Sequence, residues 1–215
     1  MMKKLTLAIL MTLTPMVYAS SDHAADEGKI VGDAEAGKAK SMVCASCHGT
    51  DGNKALMPEY PKLGGQHTSY LDGQMHQFKS GVRNNAIMLG QVAALSDQDI
   101  ADLSAYFSSQ AVTVGGASED LVGQGQAIYL SGVAAKGIPA CISCHGPQGL
   151  GNPTAQYPLL SGQNAAYTVK QLKDYQSGER IGDAETNNQQ IMIDIAKKLS
   201  EAEMTAVAEY VSGLH

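Results

Sequence analysis

The feature that most limits what this chain can fold into is an internal duplication. Displacing the sequence by 97 positions lays Cys44, Cys47, His48 and Gly49 on Cys141, Cys144, His145 and Gly146. The same displacement pairs Tyr60-Pro61 with Tyr157-Pro158, Leu63 with Leu160, and Gly65-Gln66 with Gly162-Gln163. It also pairs Tyr70 with Tyr167, Gln74 with Gln171, Ser80-Gly81 with Ser177-Gly178, and Arg83 with Arg180. Past the arginines the displacement becomes 104, matching Met88 with Met192, Leu95-Ser96 with Leu199-Ser200, and Tyr106 with Tyr210. Ahead of the cysteines it is 88, matching Gly37 with Gly125. Self-similarity at this density means two copies of one unit. The copies are expected at 20–108 and 121–215. The join at 109–120 carries Val114-Gly115-Gly116-Ala117-Ser118, the small and flexible composition of a linker.

Each copy has about 90 residues, a size at which side chains alone make a marginal core. Aromatics are only 5% of the chain and Trp is absent, so something other than side chains is expected at the centre. The patterning within a copy is helical. Asp33 suits the cap of a helix through Ala34–Val43. Tyr70, Met75 and Phe78 recur at near-helical spacing, with Gly81 as a stop. Ser96-Asp97-Gln98-Asp99 and Ser200-Glu201-Ala202-Glu203 open the last helix of each copy with capping-box chemistry, and Ile100, Leu103 and Phe107 give the first of these an apolar face. No strand-like alternation of useful length is found, so the expected fold class is all-α.

The chain begins Met1-Met2-Lys3-Lys4, runs apolar from Leu5 to about Met16, and closes on Val17-Tyr18-Ala19, the pattern of a secretory leader cut after about Ala19. The apolar run, broken by Pro15, falls short of the roughly 20 residues that span a bilayer. Export to the periplasm is therefore expected. Without Lys3 and Lys4 the chain holds 13 basic against 21 acidic residues, a formal charge of −8. Nucleic-acid binding needs a basic footprint and is excluded on that balance.

The four cysteines form two Cys-x-x-Cys-His runs rather than a disulfide framework. Two thiols two residues apart can reach the two vinyl groups on one edge of a porphyrin, and the next histidine then lies under the iron. A shared zinc site would leave His48 and His145 unexplained, and a thioredoxin-like dithiol expects a βαβ setting that is missing. Two covalently bound haem c groups are thus expected on Cys44, Cys47, Cys141 and Cys144, with His48 and His145 as proximal ligands. For the second axial position the duplication singles out Met88 and Met192. Met42, Met57 and Met75 face Pro139, Thr154 and Leu172 in the other copy, and Met204 faces Ile100. Those four are read as fillers of an apolar core, whereas Met/His ligation is the usual arrangement in cytochromes c. Met88 and Met192 are expected in a loop seven residues before the Leu-Ser helix start. His67 and His76 face Asn164 and Lys173 and are not repeated ligands, though either leaves bis-histidine ligation of the first haem open. His23 and His215 lie near the termini. Arg83 and Arg180 could pair with haem propionates or could be surface residues; the hydroxyls of Tyr60 and Tyr157 could bond a propionate or simply pack.

These motifs resemble cytochrome c4, the dihaem class I cytochromes of the bacterial periplasm, over nearly the whole exported chain. The resemblance rests on the paired Cys-x-x-Cys-His runs, Tyr60-Pro61-x-Leu63-x-Gly65-Gln66, Phe78-x-x-Gly81-x-Arg83 and Leu95-Ser96-Asp97-Gln98-Asp99-Ile100. Tyr106-Phe107-Ser108-Ser109-Gln110 and Gly137-Ile138-Pro139-Ala140-Cys141 extend it. It implies two tandem class I cytochrome c domains related by a pseudo-twofold axis, His/Met ligation of both irons, and propionates facing one another across the interface. It also implies an electron carrier, not an enzyme, running from a quinol-oxidising cytochrome complex toward a terminal oxidase; the chain is expected to be monomeric. Two alternatives share the motif. Dihaem peroxidases need an open iron position, against which both methionines argue. A dihaem electron-accepting subunit of a periplasmic dehydrogenase, such as a sulfide-oxidising flavoprotein, uses the same ligand chemistry. Weak association with the membrane is left open.

Overall fold

The computed structural model describes residues 30–181 and 188–215. The expected leader at 1–19, His23 and most of the longer loop between Arg180 and Met192 lie outside the described residues. Ten α-helices and one 3₁₀ turn are found among the described residues, with isolated bridges but no strand. The first copy contains α1 (Ala34–Lys40), α2 (Met42–His48), α3 (Thr68–Ser80), α4 (Ala86–Val92) and α5 (Asp97–Ser108). The second contains α6 (Glu119–Ser131), the 3₁₀ turn Ala134–Lys136, α7 (Ile142–His145), α8 (Ala165–Ser177), α9 (Asn188–Ala196) and α10 (Glu201–Gly213).

Local chemistry sets most of these boundaries. The Asp33 carboxylate accepts from the backbone N–H groups of Glu35 and Ala36 at 2.8 and 3.2 Å and starts α1. The expected single helix through Val43 is in fact two. At Ser41 the backbone N–H turns to Lys38 O, and the hydroxyl donates to the same carbonyl at 2.9 Å, which gives the chain an alternative to the helical ladder. Gly81 and Gly178 end α3 and α8 in the left-handed region, at φ +80° and +81°. Both expected capping boxes form: Ser96 with Asp99 and Ser200 with Glu203 exchange side-chain and backbone hydrogen bonds.

In each copy the first helix crosses the last, α1 on α5 and α6 on α10. The repeated glycine makes that crossing close. A Cβ added at Gly37 would collide with the Asp102 carbonyl, and one at Gly125 with the Ala206 carbonyl. The first core gathers Leu71, Leu103, Tyr106 and Phe107. The second is larger, with Ile128, Tyr129, Leu172, Met204 and Val207 among its buried members. A tyrosine hydroxyl braces the turn after each histidine, but from different helices: Tyr106 of α5 donates to Thr50 O at 2.7 Å, and Tyr129 of α6 to Gly146 O at 2.6 Å.

The segment joining the copies is a strap fixed to both halves rather than a free linker. Asn53 donates to Ala111 O, Lys62 donates to Thr113 O, the Gly115 N–H donates to Ser212 O and the Ser118 N–H to the Glu209 carboxylate. Small residues at 114–118 therefore serve close passage along the second half. The halves meet through reciprocal contacts. Gln66 bonds both backbone groups of Leu159, and Gln163 bonds both backbone groups of Lys62. Each pair maps onto the other under the 97-residue displacement, which is the signature of a pseudo-twofold axis.

Candidate haem sites

A cavity of about 470 Å³ runs through both halves. Cys44, Cys47, His48 and Met88 line it from the first copy, and Cys141, Cys144, His145 and Met192 from the second. Cys44 and Cys47 lie three apart on α2 and therefore share a face; Cys141 caps α7 and Cys144 lies within it. All four cysteine side chains are half-buried. Burial pushes the Cys44 thiol up, and that of Cys141 to about 11. Gly49 and Gly146 then turn the chain at φ +85° and +77° with extended ψ, a backbone region essentially confined to glycine. That geometry explains why the motif continues to a glycine in both copies.

Each histidine is held in one tautomer by a backbone carbonyl. His48 Nδ1 lies 3.0 Å from Pro61 O and His145 Nδ1 lies 3.1 Å from Pro158 O. A carbonyl only accepts, so Nδ1 carries the proton and Nε2 keeps its lone pair. Burial lowers both imidazole pKa values and keeps the rings neutral. A neutral imidazole with a fixed Nδ1–H and a free Nε2 is the form that binds iron. Pro61 and Pro158 are the functional residues that sequence reasoning missed. Their signal was present in the repeated Tyr-Pro pair, with the proline 13 positions after the histidine in both copies.

The tyrosines of those pairs flank the imidazoles, at 6.2 Å between ring centroids for His48–Tyr60 and for His145–Tyr157. The Cys144 thiol beside the Tyr157 hydroxyl raises the phenol pKa. Met88 and Met192 are half-buried in helices, not in the expected loops. Asn85 caps α4 by accepting from the Met88 N–H at 3.0 Å, so a residue three positions before the methionine starts the helix that carries it. Met192 is packed against two apolar clusters, one centred on α6 and α10, the other on Tyr175 and Ile193. Met204 is 1% exposed and Met75 packs against the first core, as expected of fillers. Met42 and Met57 are corrected: they are 73% and 47% exposed and fill nothing.

His67 and His76 do not line the cavity. The first bonds Leu150 O at 2.8 Å through Nε2, and the second faces Asp72 one helical turn away. His215 bonds Gly213 O at the C-terminus. Among the described residues no group of three or more His, Cys, Asp or Glu side chains is arranged to hold a metal ion. The surface reading of Arg83 and Arg180 is also corrected, because both are buried at the seam between the halves and both line the cavity. Each half thus offers two thiols on one face, a neutral imidazole nitrogen and a thioether, a soft sulfur and nitrogen set that suits haem iron.

Comparison with known proteins finds similarity to cytochromes in both copies. The family model described as cytochrome c matches residues 34–111 and again 123–215. Cytochrome c4 of Pseudomonas aeruginosa is 47% identical over the full length of both chains. The crystal structure of reduced recombinant cytochrome c4 from Pseudomonas stutzeri superposes with a TM-score of 0.81 at 44% identity, covering 86% of this chain and all of that one. A thiosulfate dehydrogenase electron acceptor of Stutzerimonas stutzeri is 35% identical over 93% of this chain and 91% of its own.

Proposed function

Since the chain belongs to the cytochrome c4 family, we propose that it carries electrons in the periplasm from a quinol-oxidising cytochrome complex toward terminal oxidases. It is an electron carrier with two covalently bound haem c groups. When bound, each haem supplies a one-electron ferric/ferrous couple. In this reading Cys44 with Cys47, and Cys141 with Cys144, hold the porphyrins. His48 and Met88 ligate one iron, and His145 and Met192 the other.

The observation that carries the reading is the pair of imidazoles fixed by Pro61 and Pro158, each in the cavity lined by its own thiols and methionine. With the imidazole pinned at Nδ1 and the methionine set on a packed helix, neither side chain has to move when charge arrives or leaves. An outer-sphere exchange over a short-lived contact suits such a site. Among the described residues no helix is long and apolar enough to cross a membrane, which suits a carrier that moves between partners.

Peptide mapping of the purified chain by mass spectrometry tests the assignment. Haem mass on the two cysteine-bearing peptides and an N-terminus after about Ala19 are expected. A chain with free cysteines would contradict it. One observation favours a second acceptor role: the 35% identity to a thiosulfate dehydrogenase electron acceptor supports a reading as the accepting partner of a periplasmic dehydrogenase. Gel filtration of the native protein separates the two. A lone monomer supports the shuttle, and stable co-elution with a dehydrogenase supports the second role.

A further inference from the structure

We propose that Asn188 is a positioning residue for the second iron's methionine. Its side-chain amide clasps the start of α9, which carries Met192, to the turn that leads to Pro158 and through it to His145. The inference rests on the dihaem reading above and adds to it a clasp between the two axial sides of one haem.

The two methionine helices are moored alike at their C-terminal ends. Lys79 Nζ donates to Leu95 O at 2.6 Å just past α4. Gln176 Nε2, at the matching place, donates to Ala196 O and Leu199 O at the end of α9, each at 3.1 Å. At their N-terminal ends the helices differ. Arg83 and Arg180 are fixed points in both copies: they are buried, their backbones form an antiparallel bridge, and each bonds a glutamine of the other half, Gln171 and Gln74. Met88 follows its arginine by five residues, so that fixed point and the Asn85 cap place α4 directly. Met192 follows its arginine by twelve, with the seven extra residues of the second copy between them. A longer connection leaves its ends more arrangements, so the arginine alone no longer sets where this methionine sits.

Asn188 supplies the missing fixed point. Its Nδ2 donates to Ala155 O at 2.7 Å, about one helical turn ahead of Met192. Ala155 belongs to a closed turn. Asn152 Oδ1 accepts from the N–H groups of Thr154 and Ala155, each at 3.0 Å, and Asn152 and Tyr157 exchange two backbone bonds at 2.9 Å. Gln156 completes the turn at φ +59°, the only non-glycine at positive φ among the described residues, a conformation that persists where the surroundings enforce it. Three residues after Ala155, Pro158 O accepts from His145 Nδ1. The clasp therefore joins the segment that pins the imidazole to the helix that carries the thioether. The first copy has Ala55 where Asn152 stands and closes its turn differently, from the Tyr60 N–H to Met57 O, so Asn84, which matches Asn188, is a built-in control. Breaking the clasp frees the start of α9, and an external ligand then competes better with Met192 while Met88 is untouched.

The test titrates the complete dihaem protein in its ferric form with imidazole and follows each haem separately by its methyl NMR signals. Asn188→Ala is expected to raise the imidazole affinity of the second haem about fivefold, the scale of one hydrogen bond, and to leave the first haem unchanged. Asn188→Asp keeps the shape but loses the donor, and it should raise the second haem's affinity as well; it carries the test if the alanine variant does not fold. Asn84→Ala should leave the first haem at its parent affinity. A second haem unmoved by both Asn188 variants, a rise of equal size at both haems, or an equally large effect of Asn84→Ala on the first haem would overturn the proposal. A parent protein without two His/Met irons would instead sink the underlying dihaem reading, so the two failures are told apart.

Discussion

Gln66 reads the backbone of Leu159 through both ends of its side-chain amide: its Oε1 accepts from the Leu159 N–H and its Nε2 donates to the Leu159 carbonyl, each at 2.9 Å. Both residues are buried, so no water replaces the bonds if the amide is removed. Gln163 makes the mirror-image contact with Lys62 at a less enclosed position. Truncating Gln66 strands two buried backbone groups, each of which costs about 1–3 kcal/mol when unsatisfied. Gln66→Ala is expected to destabilise the chain by about 2–4 kcal/mol, and more than Gln163→Ala does. Denaturant unfolding followed separately at the two haems measures it; equal or negligible losses would contradict the ranking.

The close helix crossings give a prediction whose sign is opposite to the ordinary rule. Glycine to alanine within a helix usually stabilises by up to about 1 kcal/mol. At Gly37 and Gly125 the new methyl would meet a carbonyl of the facing helix. Gly37→Ala and Gly125→Ala are therefore expected to destabilise by about 1–3 kcal/mol through forced separation of the helices. Gly73, whose added Cβ meets nothing, is the control and should follow the ordinary rule. Thermal unfolding of the three variants decides the matter.

Acid should weaken the first half before the second. The Asp102 carboxylate is held at about 2, first by the Asp33 N–H and then by Lys40 and Gln98. Lys40 also depresses Asp99. A carboxylate whose folded pKa lies below its unfolded value of about 3.9 contributes stability that is present above pH 4 and lost as pH falls toward 2. The second copy has Ile128 and Ala206 at the matching places and lacks this dependence at its own crossing. Stability measured between pH 5 and 2 should fall more steeply at the first haem, and Asp102→Asn should flatten that slope. A slope unchanged in the variant would show that other carboxylates carry it.

How much of this was legible beforehand follows from what kind of contact each residue makes. The capping boxes at Ser96 and Ser200 and the stop at Gly81 are local, completed within a few residues, and could be read directly. The residues proposed as haem donors could be singled out because the duplication set each candidate against a second copy, which separated Met88 and Met192 from the other methionines. The same comparison exposed Gln66, Gln163, Arg83 and Arg180 as repeated, yet not their partners, because their contacts run from one copy to the other and no pattern within a copy encodes them. Arg83 passed equally well for a surface residue until the seam buried it. Met42 and Met57 were taken as core on residue type alone, and exposure is a property of the assembled fold. Placing Met88 in a loop overlooked Asn85, whose side chain caps a helix through the methionine's own N–H.

The account stands on two irons each held between an imidazole nitrogen and a thioether sulfur. Near-infrared magnetic circular dichroism of the oxidised protein reports both axial ligand pairs at once. The spectrum is expected to show two low-spin His/Met centres in the parent chain, with one of them lost in a non-ligating variant of Met88 and the other in a non-ligating variant of Met192. A parent spectrum with a high-spin or bis-histidine iron, or variants that leave both centres unchanged, would contradict it.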